Sequence, residues 1–246
     1  MELTYTILLA FGFAILSYIC GSIPTAKLIA KRHGIDILKE GSKNAGGTNV
    51  GRVVGKTAGI LTMFLDGLKC YIPCLITMII LTFAPIPLVE YRYLKEIFVC
   101  LVGLSVAIGH SFPLFAHFKG GKCVACFAGF VIFTSPLAAL VGGITFFSIF
   151  FWKRRVSLAS LIGAPVTFTV YLVPMILDLT IYSDINQYNF GTYFAPNFFL
   201  HLSYYTFLAI LVYVIIIVIR HKTNIDRLEK GIEPETKFKK KGDINK

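Results

Sequence analysis

The chain has 246 residues, of which 56% are apolar and only 15% charged, with a mean hydropathy of +0.73 and a formal net charge of +11. Apolar residues in long unbroken runs exclude an ordinary soluble domain and predict an integral membrane protein. The positive charge does not point to nucleic acid, because Lys and Arg stand in short clusters at the ends of those runs, the pattern of cytoplasmic membrane loops.

Seven apolar runs follow one another, at 4–28, 57–83, 95–115, 122–134, 136–151, 157–178 and 198–220. Each reads as a membrane helix. Met1-Glu2 brings no basic leader, and the first run continues into Gly21-Ser22-Ile23-Pro24 without a small-residue cleavage site. It is therefore expected to be a span and not a removable signal. Residues 123–151 are too long for one helix and short for two, but Ser135-Pro136 is a natural break. Charge arbitrates. With the break, the basic residues of 27–56, 119–122, 153–155 and the tail from Arg220 share one face, and only Arg92 and Lys95 stand on the other.

The expected fold is all-α and polytopic, a single domain of about seven transmembrane helices with the N-terminus outside and the C-terminus cytoplasmic. Residues 222–246 would form a cytoplasmic tail with a disordered basic end, and Asp178 to Asn197 an external loop without chemistry.

On this topology every chemically promising segment lies on the cytoplasmic face. The first runs from Gly41 to Gly59. Ser42, Asn44, Thr48 and Asn49 supply hydrogen-bonding groups, Arg52 and Lys56 supply charge, and glycines such as Gly46 let backbone N–H groups approach a ligand. A solvated loop would explain the composition but not this density of groups with one binding character. An anion, most simply a phosphate, is the expected ligand. Gly55-Lys56-Thr57 has Val50 where a Walker loop needs its first glycine, so nucleotide binding is not indicated.

In the second span Asp66 and Lys69 are three apart and can neutralise each other, a structural explanation preferred over a functional one. His110-Ser111 at the end of the third run could face the site, but a lone histidine near a helix end reads as structural. Phe118-Lys119-Gly120-Gly121-Lys122 comes next, two glycines and a lysine before a helix start, a second phosphate-type feature. Ser157 and Ser160 open the following helix, and capping explains half of that signal. In the tail, His221 and Asn224 fall one helical turn apart, with Arg227 and Glu233 beyond. His221 and Asp226 also spell H-x-x-x-x-D, the signature of thioester-using glycerolipid acyltransferases. Too little chain follows for the rest of such a domain, so the match reads as chance.

The cysteines at 20, 70, 74, 100, 123 and 126 lie within or beside apolar runs. They are expected to be buried small hydrophobes and not disulfides, and Cys123 with Cys126 lacks the second ligand pair of a zinc site. No carboxylate or histidine cluster shares a polar face, so neither a metal nor another cofactor is expected.

Taken together, G-S-I-P, G-S-x-N-x-G-x-T-N-V-x-R-x-x-G-K-x-A-G, D-x-L-K, G-H-x-F-P-x-F-x-x-F-K-G-G-K, S-L-A-S and R-H-x-x-N-I-x-R-L-x-x-G-x-E, in this order from Gly21 to Glu233, resemble the bacterial acyl-phosphate glycerol-3-phosphate acyltransferases. The resemblance implies a seven-span enzyme of the bacterial inner membrane, active on its cytoplasmic face. Its substrates would be glycerol 3-phosphate and a fatty acyl phosphate, with membrane lipid around it. Lysophosphatidic acid and inorganic phosphate would be the products.

Carried over by motif, the resemblance makes Ser42, Arg52, Lys122, His221 and Asn224 catalytic, and Asn44, Gly46, Asn49, Gly120, Gly121, Ser157 and Ser160 substrate-binding. Glu233 looks structural by the same analogy. The chain departs from the usual K-G-V-A-T at Lys122-Cys123-Val124-Ala125-Cys126, where the cysteines are expected to alter affinity. A transporter of a phosphorylated solute is the alternative from another class. It is disfavoured by the lack of an internal repeat and by the clustering of polar motifs on one side.

Overall fold

The computed structural model describes residues 2–83, 92–181 and 204–238. Every regular element among them is helical: α1 (Glu2–Gly21), α2 (Thr25–Lys31), α3 (Gly47–Val53), α4 (Lys56–Phe83), α5 (Arg92–Ser111), α6 (Val124–Thr134), α7 (Pro136–Lys153), α8 (Val156–Ile181), α9 (Tyr204–Arg220) and α10 (Lys222–Glu229), with a 3-10 turn at Leu114–Ala116. Most of the expected external loop and the end of the basic tail lie outside the described residues.

Each apolar run holds one main helix, but the helices are unequal in length. Five segments, containing α1, α4, α5, α7 and α8, are long and apolar enough to cross a bilayer, and α9 joins them if counted with α10 across a 60° bend. At 11 residues, α6 rises only about 16 Å, well short of the ~30 Å hydrocarbon core. The break between α6 and α7 falls where proline requires it. Pro136 occupies the first helical position of α7, and Ser135 caps it by accepting from Ala138 N at 3.3 Å.

Leu8, Phe11, Phe64 and Ile144 are exposed on the outer helix faces, as expected where lipid is the solvent. Inside, Cys70, Val102, Val106, Phe130, Ile210 and Tyr213 form a core shared by α4, α5, α6 and α9. Tyr213 stacks on Phe130 and donates to Gly103 O at 2.6 Å, which satisfies its hydroxyl in apolar surroundings. Small residues set the closest approaches. A Cβ on Gly129 would collide with the Gly67 carbonyl, and one on Gly21 with that of Val106, so α4 meets α6 and α1 meets α5 almost backbone to backbone. All six cysteines are free, and only Cys20 is not buried.

The ends of the helices gather the motifs. Lys122, just before α6, bonds Asn224 of α10, and Ser157, at the start of α8, bonds Glu233 just beyond α10. The chain therefore travels out along α6 and back along α7. The starts of α6 and α8 lie at the same end of the bundle.

Candidate active site

Asn49 holds the loop before α3 from within. Its side chain is buried; Oδ1 accepts from Ser42 N at 2.8 Å, and Nδ2 donates to the carbonyls of Ile37 at 3.1 Å and Glu40 at 3.0 Å. Both amide hydrogens are thus committed to backbone, and Asn49 shapes the loop. Gly41 has φ +59 and packs on this amide, where a Cβ would strike Asn49 Oδ1. Ser42 and Asn44 are left half-exposed on the loop, while Gly46 is the N-cap of α3. Gly47, Gly51 and Gly59 serve the crossing of α3 on α4: a Cβ on Gly59 would lie 2.6 Å from Gly51 Cα, and one on Gly47 2.8 Å from Gly59 O.

Gly120 and Gly121 sit against the end of α5. A Cβ on Gly120 would strike the His110 carbonyl, and one on Gly121 the His110 ring. Gly121 N donates to His110 O at 3.1 Å. Arg220 at the end of α9 donates from Nε to Gly121 O at 3.1 Å and from Nη2 to Gly120 O at 2.9 Å. The double glycine is a turn clamped between α5 and α9. Where the sequence suggested room for a ligand, these glycines make room for neighbouring protein.

The centre of the polar end is the carboxylate of Glu233, which is buried. Oε1 accepts from Ser157 Oγ at 2.6 Å and Asn224 Nδ2 at 2.7 Å, and Oε2 from Arg227 Nε at 2.9 Å. Asn224 in turn accepts from Lys122 Nζ at 2.5 Å. Arg52 reaches the same region from α3, with Nη2 3.5 Å from Thr236 Oγ1 and its buried Nε bonded to nothing. Burial depresses the Arg52 guanidinium and pushes the Lys122 ammonium down to about 8, against the pull of Glu233 and with help from Arg227. Burial alone would raise Glu233, but hydrogen bonds from Ser157, Asn224 and Arg227 outweigh it and hold the carboxyl below its usual value.

His221 stands at the bend between α9 and α10, buried, with Nδ1 2.8 Å from Ile217 O. A carbonyl only accepts, so Nδ1 carries the proton and Nε2 keeps a lone pair. Burial and the nearby Lys122 push His221 down to about 4, so the ring is neutral at pH 7. The nitrogen that an acid–base carboxylate would have to hold is already given to Ile217, which agrees with reading His221 and Asp226 as a chance match.

Not every expected residue converges. Ser157 joins the Glu233 hub, whereas Ser160 donates to Val156 O of its own helix at 2.8 Å. Cys123 has φ +66, a glycine-like conformation, and its thiol turns to Ala107 O of α5 at 3.8 Å. The Cys126 thiol turns to Asp66 O of α4 at 3.2 Å. Both cysteines are buried in helix contacts.

Asp66 and Lys69 pair at 2.9 Å as expected, but more is built on them. The same Asp66 oxygen takes the Thr25 hydroxyl and lies 3.6 Å from His110 Nδ1. A small open cleft beside this cluster is lined by Thr25, Ala45, Lys69, His110, Lys119 and Gly121, among others. The sequence reading gave Lys69 and His110 structural readings only and assigned no role to Arg220. The only signal for Arg220 was its place directly before His221 in R-H-x-x-N. Among the described residues no three His, Cys, Asp or Glu side chains are grouped to hold a metal ion.

The family model described as glycerol-3-phosphate acyltransferase matches residues 11–231. A glycerol-3-phosphate acyltransferase of Ureaplasma parvum is 36% identical over 92% of this chain and 90% of its own. That of Desulfotalea psychrophila is 35% identical over 93% and 99%. The crystal structure of PlsY, an integral membrane glycerol 3-phosphate acyltransferase in its glycerol 3-phosphate form, superposes with a TM-score of 0.73 at 32% identity, covering 92% of this chain and 94% of PlsY. Its lysophosphatidic acid form gives 0.71. With the family model matching nearly the whole chain and both relatives above 30% identity, the chain belongs to the glycerol-3-phosphate acyltransferase family.

Proposed function

We propose that this protein transfers a fatty acyl group from acyl phosphate to the 1-hydroxyl of glycerol 3-phosphate, giving lysophosphatidic acid and inorganic phosphate. The observation that carries this reading is the gathering near Glu233 of two cations depressed by burial, Arg52 against Thr236 and Lys122 against Asn224. Half-buried cations with spare donors are suited to phosphate oxygens. We place seven helices across the inner membrane of a bacterium, α6 being a short one, with the N-terminus outside and the site in the cytoplasm. The gathering of the basic segments at one end supports that orientation.

An acyl phosphate is already activated, so placement and charge do most of the work. The hydroxyl oxygen of glycerol 3-phosphate attacks the acyl carbonyl carbon, and the carbon–oxygen bond to phosphate breaks. The bonding pair leaves with the phosphate. Arg52 and Lys122 hold phosphate groups and stabilise the departing charge, while Ser42 and Asn44 orient them. Proton transfer favours a phosphate oxygen. A histidine held at about 4 is a weaker base than a phosphate monoester, whose second pKa is ≈ 6. His221 then serves as a neutral hydrogen-bond acceptor through Nε2.

The pH profile of lysophosphatidate formation tests this reading. Lys122 is charged below about 8 and neutral above it, so kcat/KM for glycerol 3-phosphate should be sustained from about pH 7 to 8 and fall on the alkaline side. In Lys122→Arg the alkaline limb should move up by more than one pH unit. Absence of acyl transfer, or the same alkaline limb in the variant, contradicts the assignment.

A further inference from the structure

We propose that the segment Gly231–Phe238 is a strap that positions Arg52, with Thr236 as the positioning residue. The inference rests on the reading of Arg52 as a phosphate-holding cation. The family match stops at residue 231, so Thr236 and Phe238 lie beyond the matched region. It carries no regular secondary structure, yet its inward-facing residues are buried: Glu233 is 4% and Thr236 7% exposed, while Pro234, Glu235 and Lys237 between and beside them face outward. Gly231 at φ +69 turns the chain back after α10, and Ile232 N closes the turn on Arg227 O at 2.9 Å.

Thr236 ties three elements together. Its N–H donates to Arg154 O at 2.6 Å, and its hydroxyl oxygen accepts from Val156 N at 3.4 Å and from Arg52 Nη2 at 3.5 Å. Two residues on, the Phe238 ring covers Gly51, where a Cβ would come within 2.5 Å of Phe238 Cδ1. The strap therefore grips α3 at consecutive residues: Phe238 seats the backbone at Gly51, and Thr236 holds the side chain of Arg52. A long guanidinium side chain loses much rotamer freedom when it binds a phosphate. The strap takes that loss in advance, and the turn between α7 and α8, fixed through Arg154 and Val156, anchors it. Glu233 at the other end of the strap holds Asn224 beside Lys122. One segment thus sets both cations.

The test compares wild type, Thr236→Val and Thr236→Ser as full-length proteins in detergent. Inorganic phosphate binding is measured by calorimetry, steady-state kinetics with palmitoyl phosphate and glycerol 3-phosphate in parallel. Thr236→Val keeps the shape and the Arg154 bond but loses the acceptor. It should weaken phosphate binding and raise KM for glycerol 3-phosphate about 5- to 10-fold with kcat within about two-fold, and Thr236→Ser should restore both. Phe238→Ala should move KM in the same direction. A Thr236→Val protein that melts earlier but binds phosphate and glycerol 3-phosphate as wild type does has a strap of structural value only, and the proposal is overturned. The binding arm requires no turnover. Failure of wild type to transfer the acyl group would count against the proposed function, while equal phosphate affinity in the variant would count against the strap.

Discussion

Arg52→Ala is expected to lower kcat/KM about 300-fold while leaving the melting temperature almost unchanged. The two effects separate because Arg52 contributes little to the fold. Among the described residues its one side-chain hydrogen bond is the long contact to Thr236, and its Nε is buried without a partner there. Its charge sits in surroundings that depress it, so the apo protein gains little from holding it there. On the proposed reading a phosphate dianion would supply the missing partner, and removing a preorganised donor from such a site costs about 3 kcal/mol of transition-state stabilisation. Arg52→Lys should recover only part of the rate, since a point charge replaces a planar fork. Steady-state kinetics with thermal melts on the same preparations decides the matter. Equal losses of activity and stability would make Arg52 a structural residue.

Glu233→Ala should show the opposite pattern, with a loss of stability of about 3 kcal/mol and little folded protein at 37 °C. The substitution leaves Ser157 and Asn224 without their acceptor and Arg227 without its ion pair, all at one buried point. It also removes the carboxylate that partly offsets Lys122, Arg52 and Arg227. Lys122 would therefore lose its proton at lower pH than in wild type, because Glu233 is the group that raises it. Glu233→Gln retains an oxygen for Ser157 and Asn224 and should fold better than the alanine variant. Its alkaline limb should shift below about pH 8. Thermal melts and pH profiles of the two variants provide the check, and a fully stable Glu233→Ala would contradict the hub.

The sequence made the helices legible because apolar runs and their basic ends record the bilayer directly. Even the break at Ser135 could be placed, since proline cannot continue a helix but can begin one. The shortness of α6 was legible too, since residues 123–151 are short for two spans and its run, 122–134, ends at the Ser135-Pro136 break. At the site, the residue types pointed to one polar, cationic cluster, and in the structure Lys122, Asn224, Ser157 and Glu233 do meet.

The glycines were read for ligand approach. A glycine that admits a phosphate and one that admits a neighbouring backbone are the same letter, and in the structure Gly47, Gly51, Gly59, Gly120 and Gly121 abut other protein groups. Asn49 was misleading for a similar reason, since its amide is spent on Ser42, Ile37 and Glu40. Arg220 looked like one more flanking charge, and Thr236 like part of a polar tail. Each acquires its meaning from a partner nearly a hundred residues or more away in sequence.

The most direct measurement is product formation by the purified protein given glycerol 3-phosphate and palmitoyl phosphate, with a palmitoyl thioester in a parallel reaction and Arg52→Ala as the control. The account predicts lysophosphatidate and inorganic phosphate in equal amounts from the acyl phosphate alone, with the signal nearly lost in the variant. Turnover with the thioester at a comparable rate, or undiminished activity in Arg52→Ala, would contradict it.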